Sequence, residues 1–542
     1  MRRAVSLLPL VLLPIALFLA VFQPAMLDVR NAGWLLRGTD NGENALGLHA
    51  YLHDPAAGAS LRTTLLDAPD GVPLLFTDSN PLLALILKPV AALVPADLQV
   101  VGAWLLLCLV LQVAFAWLLL RRVAPGPLAL WAGVALVAAL PTLFNRFVHA
   151  NLFAHWLILA ALGLFVDPRR GRRLRWWAPL LGATMLIHNY LLVMVAAIWA
   201  TAMLEAFVTG SGRERWRAGL QIAIVLAMLA AIALWLGAGG KFAPAGNYGA
   251  FAMPLDALVN PANPSFSTLL PATAQHPGRG FEGFQYLGAG LLLTILVAIV
   301  VAVRLPRAPG EAALLARLVW LAPAFAVLTL LAITNYPEIA GRSLPRFVLP
   351  AAAAPLLDAV RASGRLFWPV AYTIALLAVV TVYRLGRDRA GLVLIVAVAV
   401  QIVDLANMFV AIRAANATAA AHILYDRTPD PRWSTYLAAA RDVAFEPAEP
   451  TRDLALFQEV AWRAAALHRP VRTVYAARDP LASVRRKAAD HRAFVRGDLH
   501  ADRLYVLSPS TAVPASARLR LRTLDGVRLL VPISPSSPRS AS

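Results

Sequence analysis

The sequence predicts a mainly α, polytopic helical membrane protein with about eleven transmembrane helices, extra interfacial helices and a small C-terminal soluble α/β domain. Three observations carry that prediction. Of 542 residues, 59% are hydrophobic and 15% charged, against about 45–50% and about 25% in soluble domains, and mean hydropathy is +0.65. The apolar residues fall in runs near the length of about 20 residues that a spanning helix needs. The arginines punctuate those runs instead of forming one stripe, so the net charge of +19 fits membrane orientation and not nucleic acid. Cys108 is the one cysteine, which excludes a disulfide scaffold and a thiolate metal cluster.

Taken in order, residues 5–21 follow Arg2 and Arg3 and read as an uncleaved first span with its amino end in the cytoplasm. Ten further spans fall near 98–120, 127–144, 152–166, 176–188, 190–208, 217–238, 284–303, 311–333, 367–384 and 390–410. With that start, the turns at Arg121-Arg122, Arg169-Arg170-Gly171-Arg172-Arg173, Arg213/Arg215/Arg217, Arg304/Arg307 and Arg384/Arg387/Arg389 all face the cytoplasm. Stretches 81–95 and 347–360 are short and carry Pro or flanking charge, so they read as re-entrant or interfacial helices on the outer face. An odd number of spans places the carboxyl end outside. No internal repeat is evident, which weakens an inverted-repeat transporter.

Residues 1–410 thus form the membrane domain, with outer segments 26–80 and 239–283. The second is dense in Pro, Gly and Asn (Asn260-Pro261-Ala262-Asn263-Pro264) and reads as an irregular loop. Residues 411–542 form the outer α/β domain. Helices are expected near 431–445 and 451–467, strands at 471–476, 503–507 and 528–531, and a disordered end at 534–542.

Candidate chemistry clusters on the outer side. The first outer segment holds Thr39-Asp40-Asn41-Gly42-Glu43-Asn44, then His49, His53, Asp54 and Asp78. A carboxylate at the membrane face suits a general base that deprotonates an acceptor hydroxyl, or a ligand for a divalent cation such as Mg or Mn. The plain alternative is capping: Asp40 with Glu43 makes a capping-box pattern, and Asp78 or Ser79 can cap a helix starting at Pro81. His49 and His53 share a helix face, but a pair lacking a third ligand more often marks an interface than a metal.

Arg146 and His149, His188 with Tyr190, Tyr336 through Arg342 and Arg346, and Arg361 with Arg365 fall at outer turns. Charged groups at membrane depth cost about 2.5–3.5 kcal/mol on insertion scales and tend to mark sites. As a set they can clamp a phosphate, while singly each arginine can snorkel to head groups. Asp404, in the last span, can pair with one of them. No Walker A, GxGxxG, GxSxG or HExxH motif occurs, so a nucleotide-driven pump or a soluble-cofactor enzyme is not indicated. An activated donor for a site facing away from the cytoplasm has to arrive through the lipid.

Several stretches resemble a family of bacterial inner-membrane proteins described as a domain of unknown function (6311). They are Phe76-Thr77-Asp78-Ser79-Asn80-Pro81, Lys88-Pro89, Leu98 through Trp104, Arg146 with His149 and His155-Trp156, Phe284 through Gly288, Arg361 through Arg365 with Trp368-Pro369, and Gln401 through Leu405. That family in turn is similar in layout to the GT-C class of membrane glycosyltransferases. The resemblance implies a sugar moved from a polyprenyl-phosphate donor to a periplasmic glycan or glycolipid acceptor. Asp40 would be the catalytic base, with Asp78 and Glu43 assisting, and Arg146, His149, Arg342 and Arg365 would bind the donor phosphate. His49, His188 and Tyr336 would contact substrate. The rivals are a transporter or flippase for a lipid-linked or anionic substrate, and a non-catalytic envelope scaffold.

Overall fold

The computed structural model describes residues 7–58, 60–243, 248–307, 309–516 and 518–533. Residues 1–6, with Arg2 and Arg3, and the expected disordered end 534–542 lie outside the described residues. The chain is mainly helical, and among the described residues seven helices are long and apolar enough to cross a membrane: Val101–Leu120, Pro127–Phe144, Asn189–Thr209, Gly212–Trp235, Gly310–Ile333, Ser363–Leu385 and Arg387–Ala415. The other four expected spans are also helical but shorter, at Pro9–Val21, Trp156–Val166, Leu174–Ile187 and Ala289–Arg304. Their shortness has local causes. The Ala289–Arg304 helix starts only after Gly288, whose φ of +86° turns the chain and leaves residues 284–288 outside the helix. Residues 81–95 and 347–360 give only short helical pieces, Pro81–Leu87 with Lys88–Leu93, and Ala351–Ala353 with Ala354–Asp358.

Contacts divide the chain into two compact units. The first, Met1–Pro24, Trp104–Ala230 and Pro244–Ala417, holds five of the seven long helices whole and most of Val101–Leu120 and Gly212–Trp235. Its helices approach closely where side chains are small. A Cβ on Gly290 would lie 2.1 Å from the Ala397 carbonyl oxygen, so glycine sets the spacing between the Ala289–Arg304 and Arg387–Ala415 helices. In the turns expected to face the cytoplasm, Arg384 pairs with Glu311 at 2.6 Å and Arg172 with Glu214 at 3.0 Å.

The second unit joins Ala25–Ala103 and Ala231–Ala243 to the tail from Thr418 onward. Its sheet has four strands, β1 (Asp442–Glu446), β2 (Arg503–Leu507), β3 (Leu519–Leu524) and β4 (Val527–Pro532), in the order β1-β2-β4-β3. β1 and β2 are parallel, with Glu446 opposite Leu507, and the other pairings are antiparallel. Every residue of β1 and β2 is buried, as expected of a parallel pair covered on both faces.

The tail corrects three expectations. The helix expected over 431–445 spans only Arg432–Ala439, because Ala440 is extended and Asp442–Glu446 pairs with Arg503–Leu507 as a strand. Residues 471–476 form no strand; Val471 alone bridges Leu66 and Val443, and Pro470 beside it has no N–H to extend the ladder. The helix Leu481–Arg496 was not anticipated, since its polar sequence buries only Ser483 and Phe494. The helix Leu454–Ala466 and strands at 503–507 and 527–532 match the reading.

Candidate functional site

In the second unit, the helix Asp40–His53 begins one residue before the expected register: Thr39, not Asp40, is the N-cap, its side chain accepting from the Gly42 N–H. Asp40 occupies the first helical turn, half-buried. Glu43 lies one turn on and is 2% exposed. Among the described residues, neither Glu43 carboxylate oxygen has a hydrogen-bond partner. Burial pushes its carboxyl well above the usual carboxylate range, and the nearby charges of Asp78 and Asp40 push it further. The three acids singled out from sequence therefore do come together, with Glu43 the most buried of them.

Asp78 reaches that cluster through a turn locked onto the helix. Asp78 has φ +52°, the left-handed region that residues with a short polar side chain tolerate. The Asn44 amide donates to the Asp78 carbonyl, and Ser79 Oγ donates to the Asn44 carbonyl at 2.7 Å. A Cβ on Gly47 would stand 2.2 Å from Thr77 Oγ1 and 2.3 Å from Ser79 Oγ, so the turn seats only against glycine. The cap of the Pro81–Leu87 helix is Asn80, which accepts from the Leu82 and Leu83 N–H groups, and not Asp78 or Ser79. The capping roles weighed for Asp40, Asp78 and Ser79 are thus filled by their neighbours.

The tail braces this helix. Gln458 accepts from Gly38 N–H at 2.9 Å and donates to the Thr39 carbonyl at 2.8 Å. Gly42 is where the two elements touch, with a Cβ there 2.5 Å from Gln458 Oε1. His49, expected to contact substrate, is buried, donates Nε2–H to the Trp462 carbonyl at 3.1 Å and stacks on the Trp462 ring at 3.7 Å. Burial, and then His53, hold its imidazole well below the usual histidine range. His49, His53 and His468 line one side of a cavity of about 400 Å³. Asp54 accepts from Thr63, Thr64 and Ala56. Among the described residues no group of three or more His, Cys, Asp or Glu side chains is placed to hold a metal ion.

In the first unit, the expected cationic turns converge on a residue that sequence reading passed over, Glu282. Arg146 Nη1 donates to Glu282 Oε2 at 2.7 Å, Arg365 Nε donates to the same oxygen at 2.6 Å, and Arg365 Nη2 donates to Oε1. Burial alone would raise the Glu282 carboxyl, but Arg365 and Arg146 hold it well below the usual range. The Arg146 guanidinium lies 4.1 Å from the Phe281 ring centroid, and that of Arg365 lies 4.9 Å from Tyr190. The His149 ring is 5.5 Å from Phe281. His188 caps the Asn189–Thr209 helix by accepting from the Tyr190 N–H at 3.1 Å.

Arg342 and Tyr336 sit elsewhere. Arg342 is exposed on a two-residue ladder paired with Glu338–Ile339. Tyr336 carries the Arg346 guanidinium 4.0 Å over its ring, and its carbonyl accepts from Arg279 at 2.8 Å. Among the described residues Asp404 pairs with no arginine, contrary to expectation: it accepts from Ser267 Oγ, Tyr286 Oη at 2.7 Å and the Ala289 N–H at 2.9 Å. With Gln401, which donates to the Leu287 carbonyl at 3.0 Å, it fixes the entry to the Ala289–Arg304 helix. A signal for Glu282 is present in the sequence: segment 239–283 has two carboxylates, Asp256 and Glu282, and a set of arginines expected at the membrane edge calls for one.

Comparison with known proteins agrees with the resemblance noted from the motifs. The family model described as Domain of unknown function (DUF6311) matches residues 11–406, and that described as DUF6311 C-terminal domain matches residues 432–532. No curated protein and no solved structure matches the chain. With a membrane part and a tail that both fit, this chain belongs to the DUF6311 family.

Proposed function

We propose that the chain is a membrane glycosyltransferase of the GT-C kind, moving a sugar from a polyprenyl-phosphate donor to a glycan or glycolipid on the outer face of the bacterial inner membrane. The proposal includes eleven crossings, an amino end in the cytoplasm and a periplasmic tail. The observation that carries it is the carboxylate cluster of the first outer segment. Asp40 and Asp78 are half-buried and Glu43 lies fully buried beneath them without a hydrogen-bond partner for either oxygen among the described residues. Such uncompensated burial costs stability, and strained or unpaired groups of this sort gather at working sites.

In the proposed step the acceptor hydroxyl oxygen attacks the anomeric carbon while its proton passes to the Asp40 carboxylate. The bond from that carbon to the donor phosphate oxygen breaks, its electron pair leaves with the polyprenyl phosphate, and the anomeric configuration inverts. Asp78 orients the hydroxyl, and Glu43, neutral, keeps a third negative charge away from the base. A donor-phosphate role for Arg146, His149 and Arg365 remains part of the proposal, supported by the way Glu282 gathers the Arg146 and Arg365 guanidiniums in one place.

The test is transfer of a labelled sugar from polyprenyl phosphate to an envelope-derived acceptor by purified protein in nanodiscs. Wild type is expected to transfer and Asp40→Asn to lose at least about a hundredfold, the lower end of what general-base catalysis contributes. Equal transfer by both would remove Asp40 from the step. Movement of intact donor across the bilayer with no sugar released would favour the flippase reading, for which the buried Arg146–Glu282–Arg365 group is the supporting observation.

A further inference from the structure

β1 and β2 run parallel and end together at Glu446 and Leu507. In α/β sheets, ligands bind in the crevice outside the carboxyl ends of parallel strands. A cavity of about 470 Å³ occupies that place here. Three elements form it: the segment after β1 with Pro447, Glu449 and Arg452, the segment after β2 from Ser510 to Pro514, and the Leu481–Arg496 helix with His491, Phe494 and Val495. The Glu446 carbonyl ties the two segments together, accepting from the Ser508 N–H at 2.9 Å and Thr511 Oγ1 at 2.9 Å.

The Glu446 side chain lies behind this cavity, 3% exposed, and accepts from His491 Nδ1 at 2.9 Å. That hydrogen bond fixes the orientation of the ring and leaves Nε2 outside it. A buried carboxylate orienting a half-exposed, cavity-lining imidazole resembles the outer-shell partners that hold ligand-binding histidines in place. Burial pushes Glu446 up, and the His491 hydrogen bond opposes that push. The rim charges cancel, because Arg452 pairs with Glu449 at 2.6 Å. What remains is hydroxyls and an imidazole over an apolar floor of Phe494 and Val513, with exposed Val495 at the edge. A sugar ring presents that same combination, hydroxyls at its edge and C–H groups on its face.

We infer that the tail carries a binding site for a neutral saccharide at the carboxyl ends of β1 and β2, with His491, held by Glu446, as the hydroxyl-recognising group. The site stands apart from the acids of the first outer segment and does not depend on the transfer reaction.

Full-length protein in nanodiscs is applied to an array of neutral and acidic oligosaccharides. Wild type and Asp40→Asn are expected to retain neutral oligosaccharides equally, which separates this inference from the fate of the transferase proposal. His491→Ala is expected to weaken retention at least tenfold. Val495→Trp, which fills the cavity at an exposed position and leaves the Glu446–His491 pair intact, is expected to abolish it. No retention of neutral saccharides by wild type, selective retention of acidic ones, or unchanged retention by both His491→Ala and Val495→Trp would overturn the inference.

Discussion

Glu282 and Glu43 are both buried glutamates, one in each unit, and their surroundings treat them in opposite ways. Glu282 receives hydrogen bonds from two guanidiniums on both oxygens and is held charged. Glu43 receives none among the described residues, and burial, with Asp78 and Asp40 close by, pushes its carboxyl well above the usual range. The contrast separates structure from candidate function: a satisfied buried charge fixes how turns meet, whereas an unsatisfied one is a cost the fold carries for another reason.

The largest expected effect breaks the first half of that contrast. Glu282→Gln leaves Arg146 and Arg365 buried without their carboxylate and is expected to cost about 3–5 kcal/mol, as removal of one partner of a buried pair does. Melting in detergent reports it, and a loss near zero would mean the guanidiniums find other partners. Next comes the turn that delivers Asp78. Gly47→Ala places a Cβ 2.2 Å from Thr77 Oγ1 and is expected to cost about 1–3 kcal/mol by overpacking, with the same melting assay as the check.

Glu43→Gln has the opposite sign. The wild-type carboxyl is raised above its ordinary value of 4.5, so its favourable contribution is complete below that pH and is lost as pH rises toward the folded value. Glu43→Gln is therefore expected to melt higher than wild type at pH 7 and to lose that decline. The lowered His49 acts in the other direction, destabilising the fold as pH drops below its ordinary 6.5. Melting curves of the variant between pH 5 and 8 should keep only that acid-side loss. The smallest stability effect belongs to Asp40→Asn, about 0.3–1 kcal/mol from one charge at a helix N-terminus.

Much of the membrane part was legible because apolar run length reports directly on helices in lipid. Every expected span is helical, while those interrupted by Gly288 or preceded by the buried 145–155 turns are shorter than periodicity suggests. The grouping of Asp40, Glu43 and Asp78 was legible too, since two of them share a helix turn. What sequence could not supply were contacts of long separation. Glu282 meets Arg146 across 136 residues and Arg365 across 83, and Asp404 finds Ser267 and Tyr286 instead of an arginine. The caps were misplaced by one or two residues, Thr39 for Asp40 and Asn80 for Asp78 or Ser79, because several neighbouring side chains could each have served. The Glu446–His491 pair was invisible for the same reason as Glu282: its members are 45 residues apart.

The most direct test of the proposal that Asp40 is a catalytic base is made in cells. Envelope glycans and lipid-linked sugars are compared by mass spectrometry in a deletion strain complemented with wild type or with Asp40→Asn at matched protein levels. The account predicts a glycan lacking one sugar, restored by wild type and not by Asp40→Asn. Full restoration by Asp40→Asn would contradict it.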